Sequence, residues 1–256
     1  VCQGFPAGGM GRVVRDESGN VTAIVEEADL DAQAAMASEA NAGVYCFKSP
    51  WLWRVLDELS PSSKGEVYLT DMVAAAVLQG RKVEAMLLED AGEGMGVNDG
   101  IQLARAREVV QRRVNDQWLL RGVNVMAPAF IDVTVELEPD TIIYPNTFLR
   151  GRTKIGKGCQ IGPGSIIVDS VIADGCRVLQ SVVESAVLEE GVEIGPYSHL
   201  RPDSYIERDV HIGNFAEVKN SRVGRGTRMG HFSYLGDASV GPDVNIGAGA
   251  VTCNYD

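Results

Sequence analysis

Long apolar runs are missing from this sequence. No stretch approaches the roughly 20 residues needed to cross a bilayer, so no membrane-spanning helix is expected. Positive charge is scarce as well. With 23 Lys and Arg against 35 Asp and Glu, the formal net charge is -12, which argues against a nucleic-acid surface built from clustered cations. An anionic ligand must then be held by a local basic cluster. Paired cysteines are absent too. Cys2, Cys46, Cys159, Cys176 and Cys253 form an odd, scattered set without a C-x-x-C pair, so neither a disulfide framework nor a zinc site is expected, and a reducing cytoplasm fits best. Val1 opens without a charged-then-apolar leader, and the native start is expected upstream. The last residues, Cys253-Asn254-Tyr255-Asp256, fall in the middle of a repeating pattern, so a continuation is expected there as well.

What remains is ordinary globular material, 45% hydrophobic and 23% charged over 256 residues, enough for two modest domains. Up to about Gly122, β-like runs at 21–26, 42–47 and 82–88 alternate with helical ones at 50–59 and 70–79, the grammar of an α/β domain. Thr70 is placed to cap the second helix through its hydroxyl. From Gly100 to Leu120, apolar Leu103, Ala106, Val110, Val114 and Trp118 recur three or four residues apart, which predicts a connecting helix.

Beyond Pro128 the period becomes six. Ile143, Leu149, Ile155, Ile161 and Ile167 fall six apart, as do Val182, Leu188, Ile194, Leu200, Ile206, Ile212 and Val218. A helix cannot place every sixth residue on one face, because six steps of about 100° leave a net rotation of about 240°. A coil of short strands and tight corners can. Three six-residue sides make one triangular turn with the aliphatic pointing inward, and Gly, Asn or Asp suit the corners. The register slips at 167 to 172, 178 to 182, 218 to 223 and 235 to 240. Arg201 and Lys219 lie eighteen residues apart, one full turn, and should stack on one side.

The motifs Gly9-Met10-Gly11-Arg12, Ile24-Val25-Glu26, Asn41-Ala42-Gly43, Gly65-Glu66-Val67-Tyr68-Leu69-Thr70-Asp71 and Gly96-Val97-Asn98 follow one another in the first half. In the second half come Leu200-Arg201-Pro202, the run from His211 to Lys219, the run from Gly230 to Asp237, the run from Val244 to Gly249, and Asn254-Tyr255-Asp256. In this order they resemble the bifunctional N-acetylglucosamine-1-phosphate uridyltransferase/glucosamine-1-phosphate N-acetyltransferase family over essentially the whole chain. The resemblance implies part of a Rossmann-like α/β nucleotidyltransferase domain at 1–99, a linker helix at 100–122, and a left-handed parallel β-helix of hexapeptide repeats at 123–256. It also implies a cytoplasmic homotrimer formed through the β-helix.

For the first domain it implies that Gly11, Glu26, Asn41 and Asn98 contact the uridine-sugar product made from UTP, and that Asn98 helps hold Mg²⁺. A lone Asn oxygen is a poor Mg²⁺ donor, and the family's glycine-rich phosphate loop is absent, so uridylyl transfer is not expected of this chain alone. For the β-helix it implies His231 as general base, Arg201, Lys219, Tyr234 and Asn245 around glucosamine 1-phosphate, and Ala248, Asn254 and Tyr255 along the acetyl-CoA path. The chemistry agrees. Acetyl transfer to an amine needs a base, and imidazole is available in its neutral form near neutral pH. Stacked Arg and Lys suit a sugar phosphate, one as a planar fork and the other as a point charge. His199 and His211 read as ordinary corner or surface residues. Two other readings remain open: another sugar-1-phosphate nucleotidyltransferase with a regulatory or trimerising β-helix, and a catalytically silent structural piece. The β-helix is expected to be the safer folding unit, with half a parallel sheet as the weaker part.

Overall fold

A computed structural model of the chain describes residues 1–3, 9–32, 34–61 and 65–253. The chain divides into two compact units, Val1–Val109 and Val110–Asp256, with the division inside a long helix.

In the first unit, β1 (Cys2–Gln3), β2 (Arg12–Arg15), β3 (Val21–Val25) and β4 (Glu39–Ala40) form one sheet in the order β1-β4-β2-β3. Its strand pairs are all antiparallel, which corrects the expected parallel sheet. β2 and β3 are a hairpin, so a short local turn settles their direction. That turn is closed by Asp16, whose Oδ1 accepts from the amides of Ser18 and Asn20 at 2.9 and 2.8 Å.

Helices α1 (Ser49–Leu56) and α2 (Asp71–Leu78) pack through Trp51, Val55, Met72 and Ala76. Trp51 donates its indole N–H to Gln79 at 2.8 Å. Thr70 does not cap α2; its hydroxyl donates to Glu26 Oε1 at 2.8 Å instead. The stretches 42–47 and 82–88 form no strand. Among the described residues, the second has single backbone bonds with Val1, Val1 N to Met86 O at 2.8 Å and Leu88 N to Val1 O at 2.9 Å, and forms no ladder.

Helix α3 (Gly100–Leu120) is the connecting helix foreseen in the apolar spacing. Within the second unit, its Val114 and Trp118 are buried on the first coil. Gln111 and Asn115 donate to the carbonyls of Ile131 and Ala129, both at 3.3 Å. The end of the coil is thus closed by a helix rather than left open.

From Asn124 onward the chain winds as a three-sided β-solenoid of about seven turns, with three parallel sheets of seven strands each. The first face carries inward Val125, Ile143, Ile161, Val178, Ile194, Ile212 and Met229; the second runs from Ile131 to Leu235, and the third from Leu137 to Val240. Nearly all of these side chains are fully shielded. Val183, not Val182, points inward at 0% exposure, because the sides before and after it are both five residues long. The short sides therefore number five: 167 to 172, 178 to 183, 183 to 188, 218 to 223 and 235 to 240. Each is closed by a residue in the left-handed region, at Asp169, Gln180, Ser185, Asn220 and Asp237, one place earlier than in a six-residue side such as the one turning at Asp203.

A second inward column lies two residues before each aliphatic, filled by small residues such as Thr141, Cys159, Ser165, Ser181 and Ser198. Their hydroxyls tie successive coils together. The Ser198 hydroxyl donates to the Gly213 carbonyl and accepts from Ala216 N at 3.2 Å. Among the described residues, Thr147 has the one buried hydroxyl with no partner.

Candidate functional site

In the second unit, His231 and Ala248 lie at the corner that opens the second face, and Tyr234, Arg201 and Lys219 lie on that face. His231 stands exposed at the corner between the strands Arg228–Met229 and Ser233–Gly236, where the chain passes from the first face to the second. Tyr234 points outward from the second face and lies beside Val251 of the next coil through a backbone bridge. The same register sets Ala248 one coil beyond His231 at the same corner, with Gly249 N donating to Phe232 O at 2.8 Å.

Arg201 and Lys219 stack as the spacing predicts. Leu200 pairs with Val218, so the next residue of each strand projects outward from the same column of the second face. Strand alternation places Glu217 on that face as well, in register with Tyr234.

Each cation is matched by a carboxylate. Arg201 Nη1 lies 2.9 Å from Glu217 Oε1, and Lys219 Nζ lies 3.7 Å from Asp237 Oδ2. Asn220 orients Asp237 through a 2.6 Å bond from its amide nitrogen to Oδ1. Glu217 and Asp237 were not singled out from the sequence. The signal was there for Glu217, which alternates with Lys219 on a short strand; Asp237 reaches Lys219 only because a five-residue side brings its corner forward.

Asn245 is not on that face. It bridges Arg228 and sits exposed on the first face, so a single chain divides the expected sugar-phosphate residues between two sides of an outward edge. Asn254 and Tyr255 lie outside the described residues. His199 and His211 make cross-coil contacts with Glu184 (2.7 Å) and Glu193 (3.0 Å). These contacts suit the structural reading given to both.

In the first unit, Gly11, Glu26 and Asn41 come together. Asn41 N donates to Gly11 O at 2.9 Å. A Cβ at Gly11 would lie 3.1 Å from Val25 O and 3.3 Å from Glu26 Oε2, so any side chain there would crowd the carboxylate. Asn41 also bonds the Tyr45 hydroxyl at 2.5 Å. Burial pushes the Tyr45 phenol above its ordinary value, and the Glu26 charge adds to the shift against the lowering by Asn41.

Asn98 is exposed, held by its backbone N–H to Gln102 Oε1 at 2.5 Å, with its side chain near Gly9. Its neighbour Asp99 caps α3 through Gln102 N at 2.7 Å. Among the described residues no group of three or more His, Cys, Asp or Glu side chains could hold a metal ion. These donors do not make a Mg²⁺ site by themselves. A largely apolar cavity of about 960 Å³ borders Asn41 and Tyr45 and is lined by Val13, Phe47, Trp51 and Met72.

Residues 185–220 match the family described as bacterial transferase hexapeptide (six repeats). The chain is 44% identical over 252 residues to a protein of Pelobacter propionicus named bifunctional protein GlmU, covering 97% of this chain and 55% of that protein. The protein of the same name from Streptococcus equi subsp. zooepidemicus is 45% identical with the same coverage, and that from Heliobacterium modesticaldum 43%. Among solved structures, a UDP-N-acetylglucosamine acyltransferase of Francisella novicida is similar at TM-score 0.29 and 10% identity, over 43% of this chain and 62% of that one; a likeness this weak carries no argument. The chain thus spans about half the length of the curated relatives it matches, and over that span it is a sequence of the bifunctional GlmU family.

Proposed function

We propose that the coil transfers an acetyl group from acetyl-CoA to the amine of glucosamine 1-phosphate, and that the first unit is part of the domain that couples the product with UTP. The combined outcome is UDP-N-acetylglucosamine, a precursor for peptidoglycan and lipopolysaccharide. The observation that carries the reading is the stacking of Arg201 and Lys219 on the face that bears Tyr234, with His231 at its leading corner and Ala248 one coil beyond.

On this reading the phosphate is held by Arg201 and Lys219, whose charges are partly balanced in the free protein by Glu217 and Asp237. A ligand phosphate takes over hydrogen bonds that these carboxylates now share. Tyr234 lines the sugar between the cations and the corner. The His231 imidazole removes the amine proton as nitrogen attacks the thioester carbon; the C–S bond then breaks and coenzyme A leaves as the thiol. Ala248, Asn254 and Tyr255 would flank the acetyl-CoA path, and Asn245 would complete the sugar pocket.

An outward edge cannot enclose a ligand, so a neighbouring copy is needed as the second wall, consistent with a homotrimer of left-handed coils in the cytoplasm. In the first unit, Gly11, Glu26 and Asn41 would contact the nucleotide sugar. The described donors around Asn98 do not supply a Mg²⁺ site, and no step is assigned to that ion. The chain alone is expected to bind amino-sugar phosphate weakly and to transfer acetyl poorly.

The test is acetyl-CoA-dependent acetylation of glucosamine 1-phosphate by the protein extended to its relatives' full length. His231→Ala is expected to lower the rate by roughly 10²–10⁴-fold, the usual effect of losing a general base, and His211→Ala to leave it intact. Full activity without His231 would leave the coil as a scaffold.

A further inference from the structure

One coil of the solenoid carries a cation that the acetyl-transfer reading does not use. The strand cations Arg201, Lys219 and Arg222 are each matched by a carboxylate of an adjoining coil, Glu217 at 2.9 Å, Asp237 at 3.7 Å and Glu207 at 2.7 Å. Arg228, the next strand cation, breaks that pattern. It is exposed, and among the described residues it has no ion pair. Its neighbours in the outward column of the first face are His211 in the coil before and Asn245 in the coil after. His211 is already engaged by Glu193 at 3.0 Å, and Asn245 is neutral, so neither balances the guanidinium. In a chain with a net charge of -12, a cation without a carboxylate beside it keeps its full charge for an incoming anion.

The place of Arg228 on the prism gives that charge a use. Met229 points into the core, so Arg228 and Gly230 face outward on either side of it, and the next residue is His231 at the corner. A Cβ at Gly230 would meet nothing within 4 Å, so the surface between the Arg228 and His231 positions is bare backbone, where a ligand can lie close. Arg228, Asn245 and His231 thus border one open patch. An amino-sugar 1-phosphate suits it, because the amine that must reach His231 sits on the carbon next to the one that carries the phosphate. The phosphates of coenzyme A, by contrast, lie at the far end of a long pantetheine arm from the thioester. A guanidinium can take a phosphate through two parallel hydrogen bonds. Arg201 and Lys219 are partly neutralised by their own carboxylates, so a phosphate dianion gains from a third cation that is not.

We propose that Arg228 is the third phosphate-binding cation of the acetyl-transfer site, brought to it with Asn245 from the first face, and that it holds the phosphate of the amino-sugar substrate. The proposal rests on the acetyl-transfer reading and adds a binding residue to it.

The test is steady-state acetylation by the protein extended to its relatives' full length, with KM measured separately for glucosamine 1-phosphate and for acetyl-CoA. Arg228→Gln is expected to raise KM for glucosamine 1-phosphate by about tenfold or more, the worth of one hydrogen bond between ions, with kcat and KM for acetyl-CoA little changed. Arg228→Lys, which keeps the charge without the fork, is expected to fall between the native protein and Arg228→Gln. Arg225→Gln removes the same charge from another exposed position of that coil and is expected to leave both constants unchanged. The thermal unfolding midpoint should not move in any of the three, since both arginines are exposed. An unchanged KM for glucosamine 1-phosphate in Arg228→Gln, an equal rise for both substrates, a rise for acetyl-CoA alone, or the same rise in Arg225→Gln would overturn the proposal. If such a result came with acetylation that His231→Ala abolishes, the acetyl-transfer reading would stand without it; no acetylation by the native protein would overturn both.

Discussion

The two units of this chain solve the burial problem differently. In the coil each turn hands its backbone groups to the next, and the inward aliphatics from Ile143 to Ile212 are almost wholly shielded. Among its described residues the first unit has two small apolar clusters and a cavity of about 960 Å³, and it leaves Val44 and Leu78 88% exposed. Local repetition lets a solenoid complete itself coil by coil, whereas a mixed domain depends on partners far apart in sequence.

The sharpest way to break that contrast is a core truncation in each unit. Ile194→Ala in the middle of the coil is expected to cost about 2–5 kcal/mol in urea unfolding, because stacked neighbours cannot collapse into the gap. Met72→Ala, beside an existing cavity, should cost less, and equal losses would show the first unit to be as tightly packed as the coil. Native-state hydrogen exchange should give the next largest difference. Amides of residues 110–253 are expected to exchange only on global opening and those of the first unit well before them. Uniform protection across both would contradict the comparison.

A smaller effect separates two buried hydroxyls within the coil. Ser198→Ala leaves the Ala216 amide without its partner and should cost about 1–3 kcal/mol, whereas Thr147→Val removes a hydroxyl that bonds nothing and should be near neutral. The smallest is a pH effect in the first unit. Hydrogen bonding and charge from Arg15 hold the Glu39 carboxyl below its ordinary value. A depressed folded-state value adds stability above the unfolded value, and that stability is lost as the pH falls through the folded one. The first unit should therefore loosen in acid, below the ordinary carboxylate range, and Glu39→Gln should flatten the response seen by thermal melts at decreasing pH.

The legibility of the sequence follows the same division. The period of six needs no long-range information, so the coil, its inward aliphatics and the Arg201–Lys219 column were all readable. Val182 was misread for Val183 because two short sides in succession mimic a regular pair. The small-residue column went unnoticed because Ser and Thr do not register as core, although here they bond across coils. In the first unit the hairpin strand at 21–25 and both helices were legible. The runs 42–47 and 82–88 were not, since alternating apolar residues make a strand only where another strand pairs with them. Gly11, Glu26 and Asn41 lie close together in the first unit, while Asn245 shows that membership of a motif does not fix the face on which a residue lies.

The most direct test of the whole account is acetylation of glucosamine 1-phosphate by a protein that keeps the coil from residue 110 onward, extended at its C-terminal end to the relatives' full length, and lacks residues 1–109. If the coil carries acetyl transfer by itself, the rate matches that of the protein with the first unit present. A rate that collapses without residues 1–109, in a coil that still folds and associates, would contradict it.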